Sequence, residues 1–315
     1  MATIIEGKKI QETILTELMG NVVKLKNEKG VTPGLALIMI NGEDPLAKVN
    51  YRLHTSLAQA LHFNVHESIL PAGTSEEEVV SVINRYNEDD QVHGILVLLP
   101  LPDNIQIQNL INAIHPDKEL EGFHPENASR LFPTSNQSIK YPMCVPTAVH
   151  KVLDSLEEPY KQANYVVAID KELEETNVIA NMVARIGTVT MAPKEAKSIK
   201  IINMEAEDIK DHCKEADVLV ISTQKPQIVT KEWVKPGACV IDFNPIPAGF
   251  KPHPSIEGQF IPILKGGVDV ESVRETAKYI APVPGGVGPV MLGVLMNNVY
   301  LAAVKALSSK ELVQS

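Results

Sequence analysis

The residues Ala281–Pro289 read APVPGGVGP, and an apolar helical pattern, Val290–Ala306, follows them directly. Pro282 and Pro284 fix the backbone angle and remove two N–H donors. Gly285, Gly286 and Gly288 let the main chain turn sharply and come close to another group. A rigid loop that opens a helix presents unpaired N–H groups, which suits an anionic or flat ligand. Pro284, Gly285 and Gly286 are therefore candidate ligand contacts. The same composition also serves as a tight connection that binds nothing, and spacing alone leaves both readings open.

Alternating helix and strand signals must position that loop, and they argue for an α/β fold with parallel strands. Leu35–Ile40 and Ile95–Leu99 are short apolar runs suited to strands buried on both faces, with a helix over Ala47–Leu61 between them. Ser75 followed by Glu78 matches a capping box, so a helix is expected to continue through Val79–Tyr86. Polar, proline-punctuated Phe132–Pro142 leads to a domain junction. A second unit opens with the strand Tyr165–Ile169, then a helix over Asn177–Ile186 and strands at Thr188–Met191, Asp217–Ser222 and Ala238–Asp242. That series predicts a Rossmann-type half-sheet. Pro245–Pro262 reads as a loop.

Composition limits the partners. The chain has 315 residues, 44% of them hydrophobic, which provides for about two domains with sizeable cores. Its net charge of −10 argues against nucleic acid or an anionic membrane as an electrostatic partner. No apolar run reaches the roughly 18 residues of a membrane span, and the N-terminus has no signal or transit character. Cys144, Cys213 and Cys239 are widely spaced, give no metal-ligand pairing, and read as reduced thiols of a cytoplasmic protein.

Several stretches carry a resemblance. PVPGGVGP near the C-terminus, IIEGKKIQETIL at the start, VHGILVLLPLP (Val92–Pro102), HPDKELEGFHPENASRL (His115–Leu131), MCVPTAV (Met143–Val149) and EWVKPGACVID (Glu232–Asp242) occur in order. Together they resemble the bifunctional methylenetetrahydrofolate dehydrogenase/methenyltetrahydrofolate cyclohydrolase family. The resemblance implies two α/β domains flanking a cleft, the second a Rossmann-type NAD(P)-binding fold. It places residues 1–147 plus 281–315 in the folate domain and residues 148–280 in the dinucleotide-type domain. It also implies a homodimer.

The family's reaction interconverts methylene-, methenyl- and formyl-tetrahydrofolate. By resemblance, a helix Tyr and a Lys one turn later face a strand Gln, and an Asp contacts substrate. Here Asn50 takes the Tyr place, His54 the Lys place, Leu98 the Gln place and Glu121 the Asp place. Asn50 and His54, four residues apart, share one helix face. His54 titrates near neutrality and could replace the base, but Leu98 cannot orient it by hydrogen bonding. Tyr51, Pro100 and the Pro284–Gly286 turn complete the expected substrate contacts.

In the cofactor turn, Ile169 and Glu175 stand where the resemblance implies glycines, and Asp170 and Lys171 replace an Arg–Ser pair. Side chains at glycine positions and several carboxylates oppose a pyrophosphate. The expectation from sequence is therefore no cofactor and no metal. It describes a degenerate member, with catalysis lost or strongly reduced, that keeps a reduced folate or similar small molecule, or a protein partner. The alternative is an active enzyme, chiefly a cyclohydrolase, that works through His54 and Glu121.

Overall fold

A computed structural model of the chain describes residues 1–131, 140–157, 160–170, 192–252 and 260–313. Among them the strands are, in chain order, β1 (Thr3–Ile4), β2 (Gly34–Ile40), β3 (Asn64–Leu70), β4 (Gly94–Val97), β5 (Asn164–Ile169), β6 (Ser198–Asn203), β7 (Val218–Ser222), β8 (Cys239–Asp242), β9 (Ile246–Pro252), β10 (Phe260–Lys265) and β11 (Tyr279–Ala281). The chain divides into two compact units. The N-terminal unit comprises Thr13–Cys144, Lys251–Pro262 and Gly293–Ser315; the central unit comprises Met1–Glu12, Val145–Phe250 and Ile263–Leu292. Each has its own parallel sheet, as the alternating pattern predicts.

In the N-terminal unit the strand order is β3-β2-β4. Every residue of β2 and of β4 is buried, which is why both read as unbroken apolar runs. The helices α1 (Gly7–Lys29), α2 (Pro45–Ala60) and α3 (Glu76–Glu88) include the crossovers. Asp44 caps α2 by accepting from the backbone N–H of Leu46 and Ala47, with Pro45 at the first helical position. The capping box of α3 forms as expected: Glu78 N donates to Ser75 Oγ at 3.3 Å and Ser75 N to Glu78 Oε2 at 2.8 Å. Val79, Val82 and Ile83 of α3 pack on Ile38, Ile40 and Ile95 in one buried cluster.

After β4 the chain returns as an extended segment beside it. Ile95 N donates to Lys118 O at 2.9 Å, and Ile95 bridges Glu119 in parallel. Lys118 Nζ donates to the carbonyls of Tyr86, Asn87 and Asp89, closing the C-terminal end of α3. Asp117 lies 2.8 Å from both Lys140 Nζ and Lys305 Nζ. Burial pushes its carboxyl up, but the two ammonium groups win and hold it at about 2.

The central unit has the strand order β1-β11-β8-β7-β5-β6, parallel throughout. Val166, Ala168, Leu219, Ile221, Val240 and Ile280 from these strands share a core with Trp233 and Val273. The expected boundaries at 147/148 and 280/281 differ from this division, because β1 pairs with β11 (Thr3↔Tyr279) and both join the central sheet. The edge neighbour of β5 is Ser198–Asn203, a half-buried strand that carries no apolar-run signal. The expected helix at 177–186 and strand at 188–191 lie outside the described residues, as does most of Phe132–Pro142.

Two further readings need correction. The expected loop at 245–262 contains β9 and β10, which pair as a two-stranded sheet. A strand with no second neighbour tolerates Pro247, Pro252 and Pro262, because an outward nitrogen needs no ladder partner. The helix Val287–Val313 starts three residues before the expected Val290. Its segment Val287–Ser308 has a mean hydropathy of 1.6, enough by length and composition to cross a membrane, and more than half of its most apolar stretch is buried within the protein. The sequence reading found no apolar run of membrane-spanning length, whereas this helix qualifies by length and composition.

Two predictions follow from these caps and pairs. Ser75→Ala should cost about 1 kcal/mol in unfolding free energy, read by urea titration. Because the folded Asp117 lies below its ordinary 3.8, its contribution is full above about pH 4 and disappears as pH falls toward about 2. Thermal unfolding of Asp117→Asn should therefore fall less steeply across that window than the wild type does.

Candidate functional site

Helix α2 and the end of β4 bring three expected site residues together. His54 Nδ1 lies 2.7 Å from Asn50 O. A carbonyl can only accept, so Nδ1 carries the proton and Nε2 holds the one lone pair of the neutral ring. Burial lowers the His54 pKa, with the Asn50 carbonyl opposing, so the imidazole is neutral at pH 7. Asn50 Nδ2 donates to Leu99 O at 2.8 Å, tying the helix to the segment that follows β4. Leu98 N donates to Ile38 O at 2.9 Å, which continues the β2–β4 ladder by one residue. The Leu98 side chain is 3% exposed and offers neither donor nor acceptor. Pro100 follows through a cis peptide bond and is half-buried.

Tyr51, expected among the substrate contacts, turns the other way. Its hydroxyl donates to Glu67 on β3, on the opposite side of β2 from β4. Burial, reinforced by the Glu67 carboxylate, pushes the Tyr51 hydroxyl up to about 12. Adjacent helical positions point about 100° apart, so Asn50 and Tyr51 cannot both face Leu98.

Glu121 reaches the same end of the sheet through the extended segment paired with β4. Its backbone is fixed from both sides: N donates to Glu119 Oε1 at 2.8 Å, and O accepts from Cys144 N at 3.2 Å. Burial, then repulsion from Glu119, pushes the Glu121 carboxyl up to about 7. Gly122 holds φ +92°, and an added Cβ would stand 2.6 Å from Met143 Cγ. The sequence reading missed Glu119, which is 3% exposed and accepts the N–H groups of the turn. Its signal was a second carboxylate two residues before Glu121.

In the central unit, Ile169 ends β5 and Asp170 follows it; Lys171 and Glu175 lie outside the described residues. Asp170 is 7% exposed and accepts from Thr223 Oγ1 at 2.8 Å and Gln224 N at 2.6 Å. These groups sit past the adjacent ends of β5 and β7, where the strand order reverses. Gly267 has a packing reason, because a Cβ there would stand 2.3 Å from Thr223 Cγ2. Asp242 is fully buried, accepts from Gly267 N and Val268 N, and is pushed up to about 6 by burial against those hydrogen bonds.

The Gly/Pro loop packs on its own chain. Gly7 N donates to Gly285 O at 2.8 Å, and a Cβ on Gly7 would stand 1.7 Å from Gly286 O. Gly285 takes φ +103°. Pro284 and Gly285 are exposed, and Gly286 is buried.

Residues 5–121 match the family model described as tetrahydrofolate dehydrogenase/cyclohydrolase, catalytic domain, and residues 143–307 match that of its NAD(P)-binding domain. A bifunctional protein FolD from Desulfosudis oleivorans is 35% identical over 297 residues, 94% of this chain and 95% of that protein. Its counterpart from Desulfotalea psychrophila is 36% identical over 303 residues, 96% of this chain and 98% of its own. The crystal structure of Trypanosoma brucei methylenetetrahydrofolate dehydrogenase-cyclohydrolase, complexed with NADP cofactor and inhibitor, aligns with a TM-score of 0.81 at 27% identity, covering 97% of this chain and 98% of that one. The expectation of no cofactor is corrected by these findings. The NAD(P)-binding domain is matched across 143–307, and the Trypanosoma brucei relative carries NADP. The reading of Ile169, Asp170, Lys171 and Glu175 as non-binding rested on a turn whose residues beyond Asp170 are not described. The chain belongs to the tetrahydrofolate dehydrogenase/cyclohydrolase family.

Proposed function

We propose that the chain binds a reduced folate at the α2–β4 end of its N-terminal unit, with interconversion of folate forms strongly reduced. The observation that carries this reading is Leu98. Acid–base chemistry needs a group whose proton affinity is tuned by a neighbour that can hydrogen-bond, and a buried leucine supplies no such bond. The neutral imidazole of His54 also replaces the ammonium that the family pattern carries at that position, so a fixed positive charge is gone. Asn50 spends one of its two amide N–H groups on Leu99 O. Binding has better support. A Glu121 carboxyl near its midpoint at pH 7 can donate to or accept from the polar edge of a pterin ring.

That same carboxyl favours one alternative, a slow cyclohydrolase. His54 Nε2 would take a proton from the attacking water, and protonated Glu121 would hand one to the leaving ring nitrogen. This reading needs no dinucleotide, whereas dehydrogenation requires NADP or NAD as hydride acceptor.

Calorimetric titration of the protein with 5-formyltetrahydrofolate should give micromolar affinity; no heat at millimolar ligand would overturn the binding assignment. Hydrolysis of 5,10-methenyltetrahydrofolate, and NADP-dependent oxidation of the methylene form, should run close to the uncatalysed background. Turnover near the enzyme median of about 10 s⁻¹ would refute the loss of catalysis. His54→Ala should leave hydrolysis unchanged, whereas a fall of about 100-fold would establish the alternative.

A further inference from the structure

Two carboxylates stand two residues apart in the turn that carries Glu121, and their surroundings are opposite. Glu119 Oε1 accepts from the backbone N–H groups of Glu121, Gly122 and Phe123 at 2.8, 3.0 and 3.3 Å. Its Oε2 accepts from Gly122 N, His124 N and Asn127 Nδ2 at 3.1, 3.2 and 3.1 Å. Five donors are thus spent on the first acid and, among the described residues, none on the second. Pairs of titratable groups whose environments diverge in this way divide roles between them.

We propose that Glu119 is the positioning residue of the Glu121 carboxylate, fixing where it stands and setting the charge it meets. This rests on the folate-binding reading, in which Glu121 touches the ligand. The framework around Glu119 is rigid on every side. Its backbone pairs with Ile95 of β4. Asn127 is itself anchored through Nδ2 to Pro116 O at 2.9 Å. From the helix Val287–Val313, Asn298 Nδ2 donates to Leu120 O and Pro142 O, both at 2.8 Å, and so clamps the residue between the two acids. With the turn held there, the Glu121 side chain has one root and one like charge behind it.

The titratable groups facing this pair include Tyr141, whose hydroxyl donates to Asp117 O at 2.7 Å and is pushed up by burial, with Asp117 and Glu119 adding to it. Cys144 opens the next helix; burial, with Glu121 and Glu119 adding to it, keeps its thiol protonated. His124 lies on the far side of the turn, lowered by burial with Glu119 opposing, and is neutral at pH 7. Asn127 and Asn298 carry no charge. After burial, the carboxylate that raises Glu121 is Glu119.

The test is carbon-detected NMR titration of protein labelled at the glutamate carboxyl, with the Glu121 signal assigned by its loss in E121Q. Glu119→Gln keeps an acceptor oxygen but removes the charge. Its Glu121 midpoint should fall by about one pH unit, a tenfold change in proton affinity. Glu119→Asp keeps the charge and should hold the midpoint near the wild-type value, a rescue that a merely structural role does not predict. The pH at which 5-formyltetrahydrofolate affinity changes should move with the midpoint in Glu119→Gln. A Glu121 midpoint that stays put in folded Glu119→Gln overturns the proposal. If Glu119→Gln does not fold, Glu119→Asp decides alone: a midpoint held near wild type supports the assignment, and one that drops to the ordinary carboxylate range overturns it. The midpoint is read without ligand, so failure of the wild type to bind the folate sinks the functional reading and leaves this result standing.

Discussion

A parallel strand cannot turn straight back to pair with its neighbour; it needs a return segment across the face of the sheet. Both units are built under this constraint. It buries β2, β4, β7 and β8 on both faces, and it sends every functional group to the strand ends, where the chain leaves the sheet. His54, Leu98 and Glu121 lie at or near such an end in one unit, and Asp170, Thr223 and Asp242 at such ends in the other. Chemistry at these places can change while the sheets stay intact, because the ladder bonds there, such as Leu98 N to Ile38 O, use the backbone and not the side chain.

The buried strands were the legible part. Leu35–Ile40, Ile95–Val97 and Val218–Ile221 announce themselves because double-sided burial demands continuous apolar residues; the expected run to Leu99 overshoots, since β4 ends at Val97 and Leu99 is exposed. Strands with one open side did not. β3 alternates, with Glu67 and Ile69 exposed, and β6 is half-buried along its length with Lys200 in its middle. β9 and β10 hid behind their prolines. Helix starts were legible where a side chain closes them, as at Ser75, and displaced where the loop glycines themselves begin the helix, as at Val287.

At the site, residue types were legible and directions were not. Asn50 and Tyr51 are neighbours in sequence, yet one reaches toward β4 and the other toward β3, a division fixed by helix geometry and strand order together. Glu121 was legible as a carboxylate, but the saturation of Glu119 was not, because its donors are backbone N–H groups that no residue letter records. Net charge at a position says little until the donors around it are counted.

The packing of Gly7 against Gly286 has a bearing on how the Gly/Pro loop is inherited. An added methyl on Gly7 would overlap a carbonyl oxygen of the loop, so the first turn of α1 and the loop constrain each other whatever else the loop touches. Purifying pressure on these glycines would come from the chain's own stability as well as from any ligand. A motif maintained by its own architecture persists with or without a reaction, so its presence testifies to the fold and is silent about turnover.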